Sequence, residues 1–248
     1  MTTQKTPVEI AAMRTSGKLL ATILKQLSER VEPGMTSKDL AAFAAAELKA
    51  AGGEPVFLGY QGFPDVICIS VNEEVQHTIP RAREINTGDV VNFDFGVRYD
   101  GMVTDAGVTV GVGQITADAQ RLIDGTRKAL AKGIATVRDG SRVGDISAAV
   151  EACLLEHKLG IVKDLMGHGV GHDMHEEPGI PNFGRAGKGP VLKAGMTICI
   201  EPIANLGSGQ IFIEDDDWTL VSRDGSWSSQ FEHSILVTQD GAEILTLP

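Results

Sequence analysis

One short pattern occurs twice along this chain. Val31, Gly34, Asp39 and Leu40 are matched by Val137, Gly140, Asp145 and Ile146 at an offset of 106 residues, and each set leads into a helix-forming segment. Farther on, Gly88 precedes Asp94 by six residues in GDVVNFD, and Gly195 precedes Glu201 by six in GMTICIE, at an offset of 107. Two matches at nearly one offset imply a duplication. A chain of 248 residues lies near the upper edge for a single core, so the expectation is one domain over 1–248 made of two related halves, approximately 1–112 and 113–248.

The first segment, Pro7 to about Arg30, spaces Ile10, Met13, Leu20, Ile23, Leu24 and Leu27 as one face of a helix, with Pro7 suited to its first turn. VEPG ends it. A second helix starts at Thr36 or Ser37, where a hydroxyl can cap free backbone N–H groups, and runs to Gly52 and Gly53. Strand-like runs follow in each half: ICISV, VVNFDFGV and MVTDAGVTVGV, then MTICIEPI, IFIED, WTLVS and FEHSILVT. The class is α+β, with helix pairs on one side of a mainly antiparallel sheet and two halves meeting about a central cleft.

Carboxylates stand where these strands should be apolar. Asp94 interrupts VVNFDFGV, and Asp105 follows beyond Asp100-Gly101, a pair with hairpin-turn chemistry. A two-residue loop there sets Gly96 opposite Asp105 and puts Asp94 diagonal to it on the same face. In the second half Glu201 ends MTICI just before Pro202, and Glu232 opens FEHSILV. Four carboxylates converging in a cleft would repel one another and take up protons unless cations offset them. Their charge matches two divalent ions. A nitrogen donor is offered by His168 in GHGVG, where small neighbours suggest a turn with an exposed imidazole. His168 and His172 imitate the spacing of a helical HExxH motif, but the Glu is missing and three glycines oppose a helix.

Composition narrows the field. The amino terminus has no basic cluster followed by an apolar run, and no stretch approaches the roughly 18 apolar residues of a spanning helix, so neither export nor membrane insertion is expected. Cys68, Cys153 and Cys199 form no CxxC pair and suit a reducing cytoplasm. A net charge of −11 opposes a general nucleic-acid surface.

With these residues in place, the chain resembles the type I methionine aminopeptidases over nearly its whole length. The segments that carry the resemblance are, in order, VNEEVQHTIP, NFD with the later TDA, MGHGVGHDMHEEPGIP, KAGMTICIEPI and QFEHSILVT. It implies a pita-bread fold of two pseudo-symmetric halves and a central site for two divalent metal ions. Asp94, Asp105, His168, Glu201 and Glu232 fall on the family's ligand positions, with Asp105 and Glu232 implied to bridge. One imidazole among oxygen donors suits cobalt, manganese, iron or zinc. The implied catalytic residues are Glu201, which handles protons, His175 at the oxygen of the tetrahedral intermediate, and His77 near the scissile amide. Tyr60, Phe63, Cys68, Met174 and Trp218, with both histidines, match the substrate pocket, and His172 is left structural. The resemblance further implies action on the N-termini of peptides and nascent proteins by a cytoplasmic monomer, with transient ribosome contact.

The chain departs from the family in three places. Gly96 stands where threonine is usual, Thr78 replaces the glycine after His77, and Met174 replaces a common aromatic residue. These bear on substrate choice. The alternatives are a proline-specific aminopeptidase or dipeptidase of the same superfamily and, in another class, a non-catalytic binding protein that has kept the fold.

Overall fold

A computed structural model describes residues 4–248. Helix α1 (Pro7–Arg30) begins at a reciprocal cap: the Thr6 hydroxyl accepts from the Glu9 backbone N–H, and the Glu9 carboxylate accepts from the Thr6 N–H at 2.7 Å. Helix α2 (Ser37–Ala50) starts behind Thr36, whose N–H donates to Asp39 at 3.0 Å, and α4 (Val143–Glu156) starts behind Arg142, whose N–H donates to Asp145 at 2.8 Å. Helix α3 (Ala117–Ile134) is capped by Thr116. The repeated residues therefore encode the same local structure twice. Asp39 and Asp145 cap helices, while Gly34 and Gly140 (φ 92° and 82°) and Gly88 and Gly195 (φ 101° and 92°) supply left-handed turns that L side chains rarely adopt.

The first half contributes β1 (Glu54–Pro55), β2 (Cys68–Val71), β3 (Glu74–Gln76), β4 (Val90–Tyr99) and β5 (Met102–Gly111). The second contributes β6 (Gly160–Ile161), β7 (Met166–Gly169), β8 (Glu176–Pro181), β9 (Thr197–Ile200), β10 (Ile203–Asn205), β11 (Ile211–Ile213), β12 (Leu220–Ser222), β13 (Ser228–Gln230), β14 (Glu232–Val237) and β15 (Ala242–Ile244). A nine-stranded antiparallel sheet runs β1-β4-β5-β14-β9-β7-β8, with β2 also on β4 and β15 also on β14. In this sheet the two halves join where β5 pairs with β14, Glu232 opposite Gly107 and His233 opposite Ala106, and they meet again where β3 pairs with β12 in a smaller sheet.

Strand alternation assigns the two faces. Val91, Phe93, Phe95 and Val97 of β4 pack with α1 and α2 around Leu20, Leu27 and Leu40. Ile198 and Ile200 of β9 and Ile235 and Val237 of β14 pack with α3 and α4 around Leu122, Ile146 and Leu154. The four α-helices of the described residues thus cover one face, which leaves Asp94, Gly96, Asp105, Cys199 and Glu232 on the other. Among the described residues no helix is long and apolar enough to cross a membrane.

Two expectations are corrected. MTICIEPI is two strands, because Pro202 has no N–H to continue the ladder, and Glu201 lies in the break. GHG is not an exposed turn: Gly167 and Gly169 lie in β7, and His168 is buried between them. A Cβ at Gly167 would strike the Cys199 carbonyl and one at Gly169 the Glu177 carbonyl, so these glycines serve close strand packing.

Candidate metal centre

The β4–β5 hairpin has the predicted register. Tyr99 pairs with Met102 across Asp100-Gly101 (φ 47° and 79°), Gly96 faces Asp105, and Asp94 lies diagonal to Asp105. Glu232 enters from β14 beside them, and Glu201 from the end of β9, where the Asn182 amide donates to its carbonyl at 2.9 Å. The His168 Nδ1–H donates to the Gly169 carbonyl at 2.9 Å, which turns the Nε2 lone pair toward the acids. Nε2 lies 3.7 Å from Glu201, 3.9 Å from Asp105 and 4.0 Å from Glu232.

All four carboxylates are buried. Burial holds the Asp94 carboxyl up at about 7, and burial with the neighbouring acids pushes Asp105, Glu201 and Glu232 well above the usual carboxylate range. Two amides steady the group: Gln76 donates to Asp94 at 2.9 Å and Gln230 to Glu232 at 3.0 Å. Asp94 Oδ1, Asp105 Oδ1 and Glu232 Oε1 nevertheless remain buried without a hydrogen-bond partner. An orphaned buried carboxylate oxygen is costly. Asp94, Asp105 and Glu232 each offer an oxygen within 4.8 Å of the others, so a divalent cation among them would satisfy what hydrogen bonding leaves open. The residues fit a metal. Cys199 lies within the same reach of His168 and Glu232, but burial and the nearby acids push its thiol up, and only a thiolate ligates well.

These shifts have a measurable sign. Without metal, the folded protein holds carboxylate protons at neutral pH that the unfolded chain has released, so its stability falls as pH rises through about 7. Metal binding displaces those protons and strengthens with pH. The gap in unfolding temperature between metal-loaded and chelator-stripped protein should be wider at pH 8 than at pH 6. A gap independent of pH would remove the carboxylates from the metal site.

Every residue singled out from the sequence as a ligand, catalytic group or pocket wall lines one pocket of about 610 Å³: the five candidate ligands, His77, His175, Tyr60, Phe63, Cys68, Met174 and Trp218. Phe63 meets Trp218 edge-on at 5.1 Å between ring centroids. Tyr60 OH lies 2.8 Å from His175 Nδ1, and the His175 ring meets that of His168 at 4.3 Å. Burial lowers His175, and burial together with His175 brings His77 and His168 down to about 4. The backbone of His77 is left-handed (φ 58°), a conformation uncommon for a non-glycine residue and frequent at functional sites.

The loop carrying His175 is tied to the start of the chain. Lys5, its side chain fully buried, pairs with Glu176 at 2.6 Å, and Glu9 pairs with the exposed His172 at 2.7 Å. The Glu176 carboxylate also accepts from the His172 N–H at 2.7 Å. Sequence reasoning missed Lys5, Gln76, Gln230 and Phe57, although Gln76 and Gln230 stand inside the motifs VNEEVQHTIP and QFEHSILVT. Phe57 gave no signal beyond its apolar side chain.

A buried acidic cluster with one imidazole on the open face of a pita-bread sheet is the framework of a metal-dependent hydrolase. Residues 11–239 match metallopeptidase family M24, and the chain belongs to that family. Its relatives include methionine aminopeptidases. It is 39% identical over 242 residues to methionine aminopeptidase 1 of Bacillus subtilis, covering 98% of each chain. It superposes on the crystal structure of the Thermotoga maritima methionine aminopeptidase with a TM-score of 0.98 at 39% identity, over 100% of both chains. The Pyrococcus furiosus prolidase shares the fold alone, with a TM-score of 0.79 at 22% identity, and this chain covers 65% of it.

Proposed function

We propose that this chain removes the N-terminal methionine from peptides and nascent proteins whose second residue is small, and that Asp94, Asp105, His168, Glu201 and Glu232 would hold the two divalent ions this requires. The observation that carries this reading is the pocket itself, where an apolar, aromatic wall (Phe63, Cys68, Met174, Trp218) adjoins the cation-competent acids. A thioether side chain is flexible and polarisable and suits such a wall, which places the first peptide bond over the cluster.

Cobalt, manganese, iron or zinc suits the donor set. Held there, such ions would supply Lewis acidity, bringing the pKa of water towards about 7 and polarising the attacked carbonyl. The protein does the rest. With Tyr60 donating to Nδ1, His175 carries its proton on Nε2 and offers it as a hydrogen bond to the developing oxyanion. His77, neutral at pH 7 because burial depresses it, contacts the scissile amide. Glu201 accepts the proton of the attacking water at its carboxylate and returns it to the leaving nitrogen. This reading treats residues 1–248 as one catalytic domain with pseudo-repeats 1–112 and 113–248. It acts as a cytoplasmic monomer with transient ribosome contact, and its charge of −11 opposes phosphate-backbone binding.

A panel of Met-X tripeptides, with Leu-Ala-X and Ala-Pro-X controls, tests the assignment. Met-Ala, Met-Gly and Met-Ser peptides should be cleaved after methionine, and those with a large second residue far more slowly. Faster cleavage of the proline peptides would move the chain to the proline-specific peptidases. No cleavage of any peptide with any of the four metals would favour a binding protein.

A further inference from the structure

We infer that Gly96 and Phe57 are a size-complementary pair, in which the absence of a side chain at 96 admits the Phe57 ring and that ring limits the room for the substrate's first side chain. The inference rests on the methionine-removing assignment above. Gly96 is not required by its backbone, which is an ordinary strand with no positive φ. It is required by space. A Cβ built there would lie 2.7 Å from Phe57 Cε1, 3.1 Å from Cδ1 and 3.3 Å from the Val56 Cβ. Gly96 points to the same face as Asp94, two residues away, and stands opposite Asp105. The Phe57 ring thus occupies the space beside the acids that a side chain on β4 would otherwise fill.

The segment bearing Phe57 is held against β4 by its backbone. Glu54 and Pro55 pair with Arg98 and Val97 of β4, the Val56 N–H donates to the Gly96 carbonyl at 3.4 Å, and the Phe57 carbonyl accepts from the Tyr60 N–H at 2.9 Å. A ring pushed away from β4 must move into the pocket that it lines. Phe57 is 4% exposed and meets Phe63 edge-on at 6.4 Å, and Phe63 in turn meets Trp218, so three aromatic rings form one continuous wall. Phe57 is the ring of that wall that lies against Gly96 of β4. The glycine, which by itself suggests a roomier site, therefore accompanies a narrower one.

The test measures kcat/KM on Met-Ala-X and Leu-Ala-X peptides for the metal-loaded parent, Phe57→Ala, Phe57→Leu, Gly96→Ala and the double variants, with metal content and melting temperature followed throughout. Removing the ring should raise the Leu-to-Met ratio by about 10-fold or more, the scale on which a change of a few methylenes in an apolar pocket discriminates. Gly96→Ala should lower cleavage of Met-Ala-X by about 10-fold in the parent and by less than about 3-fold once Phe57 is Ala or Leu, since contacting residues couple. Phe57→Leu keeps most of the buried volume and decides the matter if Phe57→Ala does not fold. If the parent cleaves Met-Ala-X but the ratio stays within 2-fold and Gly96→Ala costs the same in both backgrounds, the pairing is wrong. A parent that cleaves no methionine peptide overturns the assignment beneath it.

Discussion

Glu232→Ala should bind metal poorly and lose peptidase activity by more than the roughly 10–100-fold that an outer partner of a metal ligand costs. Glu232 sits where the two halves join, within reach of Asp94, Asp105 and His168, and one of its oxygens is buried without a partner. Its removal takes away a proposed ligand but also relieves repulsion among buried acids, so the metal-free variant should melt no lower than the metal-free parent. Gln230→Ala, which leaves the carboxylate but removes its amide donor, should fall within the smaller range. Metal analysis and turnover on a Met-Ala-X peptide check both, and full occupancy with near-normal turnover in Glu232→Ala would sink the ligand assignment.

His175→Ala separates catalysis from ligation. His175 contacts the His168 ring and has its Nδ1 2.8 Å from the Tyr60 hydroxyl, and it is not among the five proposed ligands, so metal content should hold. Turnover should fall about 100-fold or more, as it does when a donor to a developing oxyanion is lost. Tyr60→Phe, which keeps the imidazole but removes the phenol that orients it, should cost less. Metal retained with turnover within a few-fold of the parent would mean that His175 does not stabilise the oxyanion.

Where the sequence is legible, local chemistry and long-range geometry coincide. The repeat is readable because capping acids and left-handed glycines are short-range requirements, met by particular residue types wherever the turn recurs. The β4–β5 register is readable because Asp-Gly selects a two-residue turn, which then fixes every pair along the hairpin. The GHG strand is not. Its glycines answer to carbonyls of β8 and β9, and nothing in the segment distinguishes close approach from a turn. Gln76 and Gln230 escape for a similar reason, since an amide that holds a carboxylate looks like any polar strand residue until the partner strand is placed. Gly96 is legible only as a departure, and its meaning lies in Phe57, 39 positions earlier and across a strand edge.

The tie between Lys5 and Glu176 has a consequence for the order in which the molecule can be completed. A buried ion pair loses about 3–5 kcal/mol when one partner is removed, and here the partners are 171 residues apart. During synthesis, which runs from the amino end, Lys5 and Glu9 are made before the loop they hold and wait for it. Asp94 and Asp105 likewise precede Glu201 and Glu232. A chain released short of β14 thus lacks Glu232, has an undocked β5 edge and holds no closed cluster. Competence to bind metal therefore arrives only once β14 has docked on β5 and brought Glu232 to the cluster.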